Sequence, residues 1–195
     1  QLGPDHPEVA TLVHNLASLL EAQGNLDAAE PLYRRSLDIY EEQLGPDHPN
    51  VSMSLNNLAL LLKAQGNLDA AEPLYLRALE IREKLLGLEH LDVATSLNNL
   101  VSLLQAQGKL ADAEPLKRRS LEIYEKQFEP DHPSVAFSLN NLAVLLWRLG
   151  RLDEALPLQE RATAIRERRG DAKAEARYRG QLDAMRQGEK YPHEQ

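Results

Sequence analysis

The stretch Leu44-Gly45-Pro46-Asp47-His48-Pro49 decides the fold, because it recurs along the chain at a fixed interval. The other copies are Leu2-Gly3-Pro4-Asp5-His6-Pro7, the looser Leu86-Gly87-Leu88-Glu89-His90-Leu91, and Phe128-Glu129-Pro130-Asp131-His132-Pro133. Their starts at 2, 44, 86 and 128 are 42 residues apart, and residues 2–43 match residues 44–85 at 28 of 42 positions. A period of roughly 20–50 residues predicts a repeat array rather than a single central core.

The composition of the 195 residues is that of a folded chain, with 43% hydrophobic and 27% charged residues. There is no cysteine, which excludes a disulfide framework and thiolate metal sites. The net charge of −8, without a basic stripe, argues against nucleic acid as a partner. Because no apolar run approaches the roughly 18–20 residues that span a bilayer, we expect no membrane association. The lack of cysteine gives no sign of an oxidising compartment, so we expect a cytoplasmic location.

The first half of each period predicts a helix, which we call helix A. In the second copy, Val51, Leu55, Leu58 and Leu62 follow each other at helical steps, and the sequence Ala64-Gln65-Gly66-Asn67 then interrupts the pattern. The Asp47-His48 pair is the expected N-terminal cap, because it precedes Pro49 and proline is tolerated in the first turn of a helix.

The second half predicts another helix, helix B. It is expected to begin near Asp27, Asp69 and Asp153, and Asp27 with Glu30 has the spacing of a capping box. Pro31 and its equivalents, four residues past this cap, should then fall at the helix margin.

Helix pairs joined by short connections should be antiparallel and should bury their apolar faces by stacking, giving an all-α, α-solenoid fold. The predicted repeats are 2–43, 44–85, 86–127 and 128–169. Residues 170–195 form the tail, in which 171–187 predict a capping helix with Ala174, Tyr178, Leu182 and Met185 in line. Gln1 matches the last residue of a repeat, so we expect a fragment of a longer array.

The repeats resemble the tetratricopeptide repeat (TPR) family over residues 2–169. Leu55, Leu58, Ala59 and Leu62 match its helix-A signature, and Ala71, Tyr75 and Ala78 match its helix-B positions. The 42-residue period and the motifs Leu-Asn-Asn-Leu-Ala and Ala-Glu-Pro-Leu-Tyr are similar to the kinesin-light-chain subtype. The resemblance implies a right-handed superhelix whose helices A line a concave groove.

The same resemblance assigns the groove residues to helix A. The candidates for peptide binding are His14, Asn15, Asn56, Asn57, Asn98, Asn99, Asn140, Asn141, Lys63, Phe137, Val144 and Trp147. They belong to columns that also contain Thr11, Met53, Thr95, Ser18, Leu60, Ser102, Glu21 and Gln105. Basic residues are sparse in these columns, which argues against capture of a C-terminal carboxylate or of an acidic cargo peptide.

Two alternatives stay open for these candidates. The paired asparagines, poor helix formers, suit either a peptide backbone or a hydrogen bond to the neighbouring repeat, and both are expected about equally. Phe137, Val144 and Trp147 share one face, where they would anchor a partner's apolar side chain or be covered by the tail, and we favour the tail.

No catalytic motif is present, and we expect no cofactor and no metal. Histidines one repeat apart, such as His6 and His48, should lie about 10 Å from each other, which is too far to share an ion. The predicted function is a non-catalytic scaffold that binds a partner protein or peptide in the groove. The alternatives are a homotypic assembly module that self-associates through the array ends, and a regulatory segment of a larger protein.

Overall fold

Nine α-helices and no strands make up the part of the chain that the computed structural model describes, residues 3–192. The helices A are α1 (Pro7–Ala22), α3 (Pro49–Ala64), α5 (Leu91–Ala106) and α7 (Pro133–Arg148). The helices B are α2 (Leu26–Leu44), α4 (Leu68–Leu86), α6 (Leu110–Gln127) and α8 (Leu152–Arg168), and α9 (Ala172–Arg186) follows. Both sets of starts are spaced by 42 residues, which confirms the period. Gln1, Leu2 and the last three residues of the predicted tail lie outside the described residues.

The chain divides after Gln107 into two compact units. In the first unit, α1 packs on α2, α2 on α3, α3 on α4, and α4 on α5. In the second unit, α6 packs on α7, α7 on α8, and α8 on α9. Within each unit, helices that are adjacent in sequence therefore pack on each other, as expected of a repeat array.

Helix A begins at a histidine cap in all four copies. The Nδ1 atom of His48 accepts a hydrogen bond from the backbone N–H of Asn50 at 3.1 Å, which satisfies one donor of the first turn. His6, His90 and His132 do the same for their helices. The predicted capping role of this motif is confirmed. Within residues 3–192, no group of three or more His, Asp or Glu side chains has the spacing of a metal site.

Helix A ends at a glycine turn. Gly66 has a φ of 82°, a conformation that costs no Cβ clash, and the N–H of Asn67 donates to the carbonyl of Leu62 at 2.8 Å. This turn uses only three residues, Gln65 to Asn67, before helix B begins at Leu68. The connection is therefore short enough to make the two helices antiparallel neighbours.

The predicted capping box of helix B is wrong. The N-cap residue is Asn25 in the first copy, it makes no side-chain cap bond, and Asp27 lies inside the first turn. The Asp27 carboxylate instead accepts a hydrogen bond from Gln65 Nε2 of the next repeat at 3.3 Å. The acid thus favours the helix N-terminus through its charge and links two repeats through its side chain.

The helix-B prolines lie deeper than predicted. Pro31 is the sixth residue of α2, yet the helix continues to Leu44 without a break. Pro31 is exposed, as are its three equivalents. The missing N–H therefore leaves a carbonyl without a partner on the side that water reaches, which limits its cost.

The predicted tail helix is confirmed as α9. Asp171 caps it by accepting from the N–H of Ala174 at 3.2 Å, and Tyr178, Leu182 and Met185 are buried. Ala174 is half-buried. In the described part of the chain, none of the helices combines the length and the apolar content of a membrane-spanning segment.

Candidate protein-interaction face

The predicted groove residues of the first unit lie on α1, α3 and α5, a surface we call the helix-A face. Asn15 is exposed, and Met53 and Leu60 of α3 expose 37% and 38% of their surface. Lys63 is half-buried, and its Nζ donates to Ser102 Oγ at 2.5 Å. The accessible part of this face therefore presents apolar side chains beside carboxamides, with its lysine tethered to α5.

Asparagine side chains connect successive helices A in the first unit. Asn99 Nδ2 donates to Asn56 Oδ1 at 2.7 Å, and Asn57 Nδ2 lies 2.9 Å from His14 Nε2. Asn56 Nδ2 in turn donates to Asn57 Oδ1 at 3.3 Å. The second asparagine of a pair, Asn57 or Asn99, thus bonds the residue of the preceding repeat that is equivalent to the first asparagine of the pair. We call these residues, His14, Asn56, Asn98 and Asn140, the first-column residues.

These bonds use carboxamide groups that the sequence analysis considered available to a peptide. Asn56 is buried, whereas Asn57 and Asn99 are half-buried and use an amide hydrogen within the array. Asn15 of α1 is exposed. Asn98 is half-buried. The inter-repeat alternative is therefore present in the structure for Asn57 and Asn99, and contact with a peptide stays a prediction.

His14 takes the place that asparagine holds in the other repeats, and it is buried. Its ring meets the ring of Tyr33 edge to face, with centroids 5.0 Å apart. Burial lowers the pKa of His14, and the nearby charge of Glu21 opposes this effect only partly. Tyr33 donates its hydroxyl hydrogen to Glu21 at 2.6 Å. Burial, followed by this bond and the Glu21 charge, raises the pKa of Tyr33 to about 12.

A glutamine supplies the equivalent bond in the second unit. Gln159 Nε2 donates to Asn140 Oδ1 at 3.1 Å and to the carbonyl of Tyr178 at 3.0 Å. Asn140 is buried, and its amide lies 3.5 Å from the carboxamide oxygen of the half-buried Asn141. Gln159 stands where the first two repeats have Tyr33 and Tyr75, and it ties the fourth repeat to α9.

The apolar candidates on α7 differ in accessibility. Phe137 is 50% exposed, Val144 is half-buried, and Trp147 is only 5% exposed. Trp147 Nε1 donates to the carbonyl of Glu189 at 2.7 Å, and the ring of Tyr191 meets the indole edge to face at 5.0 Å. Trp147 is therefore covered by the tail in this structure rather than open as a peptide anchor, and Phe137 is the accessible aromatic side chain of α7.

Sequence reasoning missed that the tail continues past its helix to cover Trp147. One local signal was available, because Gln187-Gly188 at the end of α9 repeats the Gln-Gly pair that ends α1, α3 and α5. Gly188 has a φ of 69°, like the earlier turn glycines. By its C-terminal turn, α9 therefore resembles another helix A.

The comparisons with known proteins agree with this architecture. The family model described as "Tetratricopeptide repeat" matches residues 8–84, 51–126 and 92–168. The chain belongs to the tetratricopeptide repeat family. Members of this family generally act as protein-interaction scaffolds. A search of curated protein sequences found no match.

Solved structures show the same all-α repeat fold. BtubC (BKLC) from P. vanneervenii is 27% identical with a TM-score of 0.76, over 85% of this chain and 66% of the BtubC chain. The chain thus spans just under two thirds of the length of BtubC. A putative kinesin light chain of nearly identical TPR-like repeats from Podosopora anserina is 24% identical with a TM-score of 0.75, over 93% of this chain and 96% of that one. A second structure of that protein, which carries one substitution, is 23% identical with a TM-score of 0.75, over 95% of this chain and 97% of that one.

Proposed function

We propose that this chain is a non-catalytic scaffold that binds a peptide or helix of a partner protein on the helix-A face. The observation that carries the proposal is the exposure of Met53 and Leu60, two turns apart on α3, whereas the other leucines of that helix are buried. Apolar side chains surrounded by polar groups are the usual source of affinity at a protein interface.

The polar groups around these two side chains favour an uncharged or weakly charged segment. Ser18 and Thr95, the equivalents of Leu60 and Met53, are exposed, as is Asn15, and these side chains offer both donors and acceptors. Lys63 already donates to Ser102, so its charge is held close to the surface. We therefore expect binding that depends on apolar contact and falls only mildly with added salt.

The test uses a displayed library of random peptides, selected against the purified chain. The dissociation constant of a selected peptide is then measured for the chain, for Leu60→Ser and for the control Leu76→Ser. Leu76 is 48% exposed on α4, a helix B, and so matches Leu60 in type but not in location. Leu60→Ser should weaken binding by roughly 1–2 kcal/mol, about 5–30-fold, and Leu76→Ser should not. Equal effects of the two variants would refute the helix-A face as the binding surface.

A specific feature of α1 favours the second candidate, homotypic assembly. Leu12, Leu16 and Leu19 lie on one side of this helix and expose 67%, 48% and 55% of their surface. The equivalents of Leu16 and Leu19 in α3, Leu58 and Leu61, are 1% and 0% exposed because α2 packs on that helix. The side of α1 that corresponds to a helix interface is therefore uncovered.

The residue at position 12 argues against a regular repeat as the partner that covers this side of α1. The equivalents of Leu12 are Ser54, Ser96 and Ser138, each at most 2% exposed, and Ser96 accepts a hydrogen bond from Arg82 of the preceding helix at 2.7 Å. A leucine does not fit a site built for serine without overpacking. A second copy that presents its own α1 offers a matching apolar side in a two-fold arrangement.

Light scattering over a concentration series tests this second candidate. The mass of the unmodified chain should rise with concentration, and Leu12→Ser combined with Leu19→Ser should keep the chain monomeric, with Leu76→Ser as the exposed-leucine control. A chain that remains monomeric at every concentration would exclude assembly through α1.

A further inference from the structure

The segment after α9 follows a course set by its first residue. The positive φ of Gly188 reverses the chain, and the N–H of Glu189 donates back to the carbonyl of Ala184 at 3.0 Å. This turn directs the carbonyl of Glu189 to the indole N–H of Trp147, 2.7 Å away. Two residues later the Tyr191 ring packs on the indole. The segment thus lies across a helix-A side chain without forming helix or strand.

Beyond the backbone turn at Gly188 and Glu189, residues 188–192 contact α7 through one hydrogen bond and through ring contacts at Trp147 and Arg148. Besides the hydrogen bond and the edge-to-face contact, the guanidinium of Arg148 lies 5.7 Å from the centroid of the Tyr191 ring. Glu189 and Lys190 are exposed. Ordering five residues costs conformational entropy that contacts of this kind only narrowly offset, so the segment should exchange with an open state.

The segment also leaves its cleft partly empty. A cavity of about 530 Å³ lies on one side of it, lined by Leu110, Trp147, Leu152 and Tyr191 among others. Another of about 520 Å³ is lined by Trp147, Arg177, Gln181 and Tyr191. Both are large enough to receive side chains in addition to those of residues 188–192.

We propose that residues 188–192 are an intramolecular stand-in for a partner's extended segment, and that the partner displaces them by placing its own aromatic side chain against Trp147. The site recognises an aromatic ring two residues after a free backbone carbonyl, because these are the two groups that the tail presents to Trp147. Trp147 is two periods from Lys63 and so belongs to the helix-A columns by register. The inference therefore deepens the proposed function and rests on it.

The tail then regulates access to this site. An attached segment competes at an effective concentration on the order of millimolar, so it masks the site from a weak peptide while yielding to a tighter one. The apparent affinity of a partner is reduced by the fraction of molecules in which the site is open.

Fluorescence tests the inference directly, because Trp147 is the only tryptophan of the chain. Three proteins are compared: the full chain, a chain ending at Gln187, which retains all of α9, and the full chain with Tyr191→Ala. The tryptophan emission of both variants should shift to the red, since the indole becomes exposed. Circular dichroism confirms that the helices remain.

The probe is a synthetic peptide of residues 187–192 with blocked ends, and its control carries alanine in place of the tyrosine. The shortened chain should bind the probe and recover the blue emission, and it should bind it at least tenfold more tightly than the full chain does. The control peptide should bind neither. If the shortened chain does not fold, the full chain with Tyr191→Ala gives the same comparison.

Unchanged emission in both variants, or no binding of the probe at millimolar concentration, would overturn the inference. The proposed function is tested separately by Leu60 in the first unit. A selected peptide that depends on Leu60 but not on the tail would leave the proposed function standing and remove only this inference.

Discussion

The helices α1 and α7 bury equivalent surfaces to very different degrees. On α1, Leu16 and Leu19 are about half exposed, whereas their equivalents on α7, Leu142 and Leu145, are at most 1% exposed beneath α6. Beyond α8, the chain adds α9, which buries Tyr178. The exposed residues of α9 include the charged Lys173, Arg177, Asp183 and Arg186.

This difference shows that the local sequence determines where a helix forms, whereas the neighbouring helices determine how far its side chains are buried. All four helices A carry leucine at the positions of Leu16, Leu19 and Leu20, a histidine cap and a turn glycine after the last residue. The contribution of each leucine to stability nevertheless depends on whether another helix covers it, as expected where stability is a sum of nearest-neighbour interfaces. Two leucines at one repeat position therefore need not have the same energetic weight.

The largest expected effect on stability comes from exposing α8, as one side of α1 is exposed. Deleting residues 171–195 would uncover α8, whose contacts with α9 bury Tyr178, Leu182 and Met185. Each large side chain contributes about 1.5–3 kcal/mol when buried, so the free energy of unfolding should fall by several kcal/mol. Urea denaturation measures this loss, and light scattering should detect association of the deleted chain.

The chain ending at Gln187 is the control for this deletion, because it loses only the segment after α9. It should keep most of the stability. A deletion of residues 171–195 with an unchanged unfolding midpoint would show that α9 is not a cap, and the comparison between the two ends would fail.

The sequence predicted best where single residues constrain the backbone locally. Proline, histidine and glycine at fixed places located the start and the end of helix A in each repeat, because their effects act within one turn. The start of helix B was misplaced by a residue or more. In a sequence, an acidic residue in the first turn of a helix cannot be distinguished from an acidic N-cap. The hydrogen-bond partner of Asp27 is Gln65, which is 38 positions away.

The candidate site was harder to predict for the same reason. The sequence shows that Asn57 needs a partner, but it does not distinguish a peptide from His14, which lies 43 positions earlier. Trp147 likewise meets Glu189, 42 positions later. Such pairings depend on the packing of whole helices, and no local pattern encodes them.

The second prediction compares one repeat position in two environments. Leu100→Ala shortens a side chain of α5 that is 3% exposed, and it should lower the free energy of unfolding by about 2–5 kcal/mol. Leu16→Ala changes the equivalent residue of α1, which is 48% exposed, and should cost roughly 0.5 kcal/mol or less. Urea melts of the two variants give the values. Equal losses that vary with protein concentration would mean that a second copy covers Leu16 in solution.

The smallest effect concerns pH and the first-column residue, which is His14 in the first repeat and Asn140 in the fourth. Burial lowers the pKa of His14 below its ordinary 6.5, so the unfolded chain binds a proton more readily than the folded one. The stability that neutral His14 maintains is complete above pH 6.5 and decreases as the pH falls through 6.5 towards the lowered value. Asn140 does not titrate, so the fourth repeat should lack this response.

The variant His14→Asn isolates the effect, because it installs the residue that the other three repeats carry. Asparagine can still accept the hydrogen bond from Asn57, as Asn56 accepts one from Asn99. Urea midpoints are measured at about pH 7.5 and about pH 5.5 for both proteins, which differ at position 14 alone. The unmodified chain should lose more stability on acidification than the variant does. The same loss in both proteins would mean that Glu21 compensates the protonated ring, and the first repeat would then be no more sensitive to pH than the fourth.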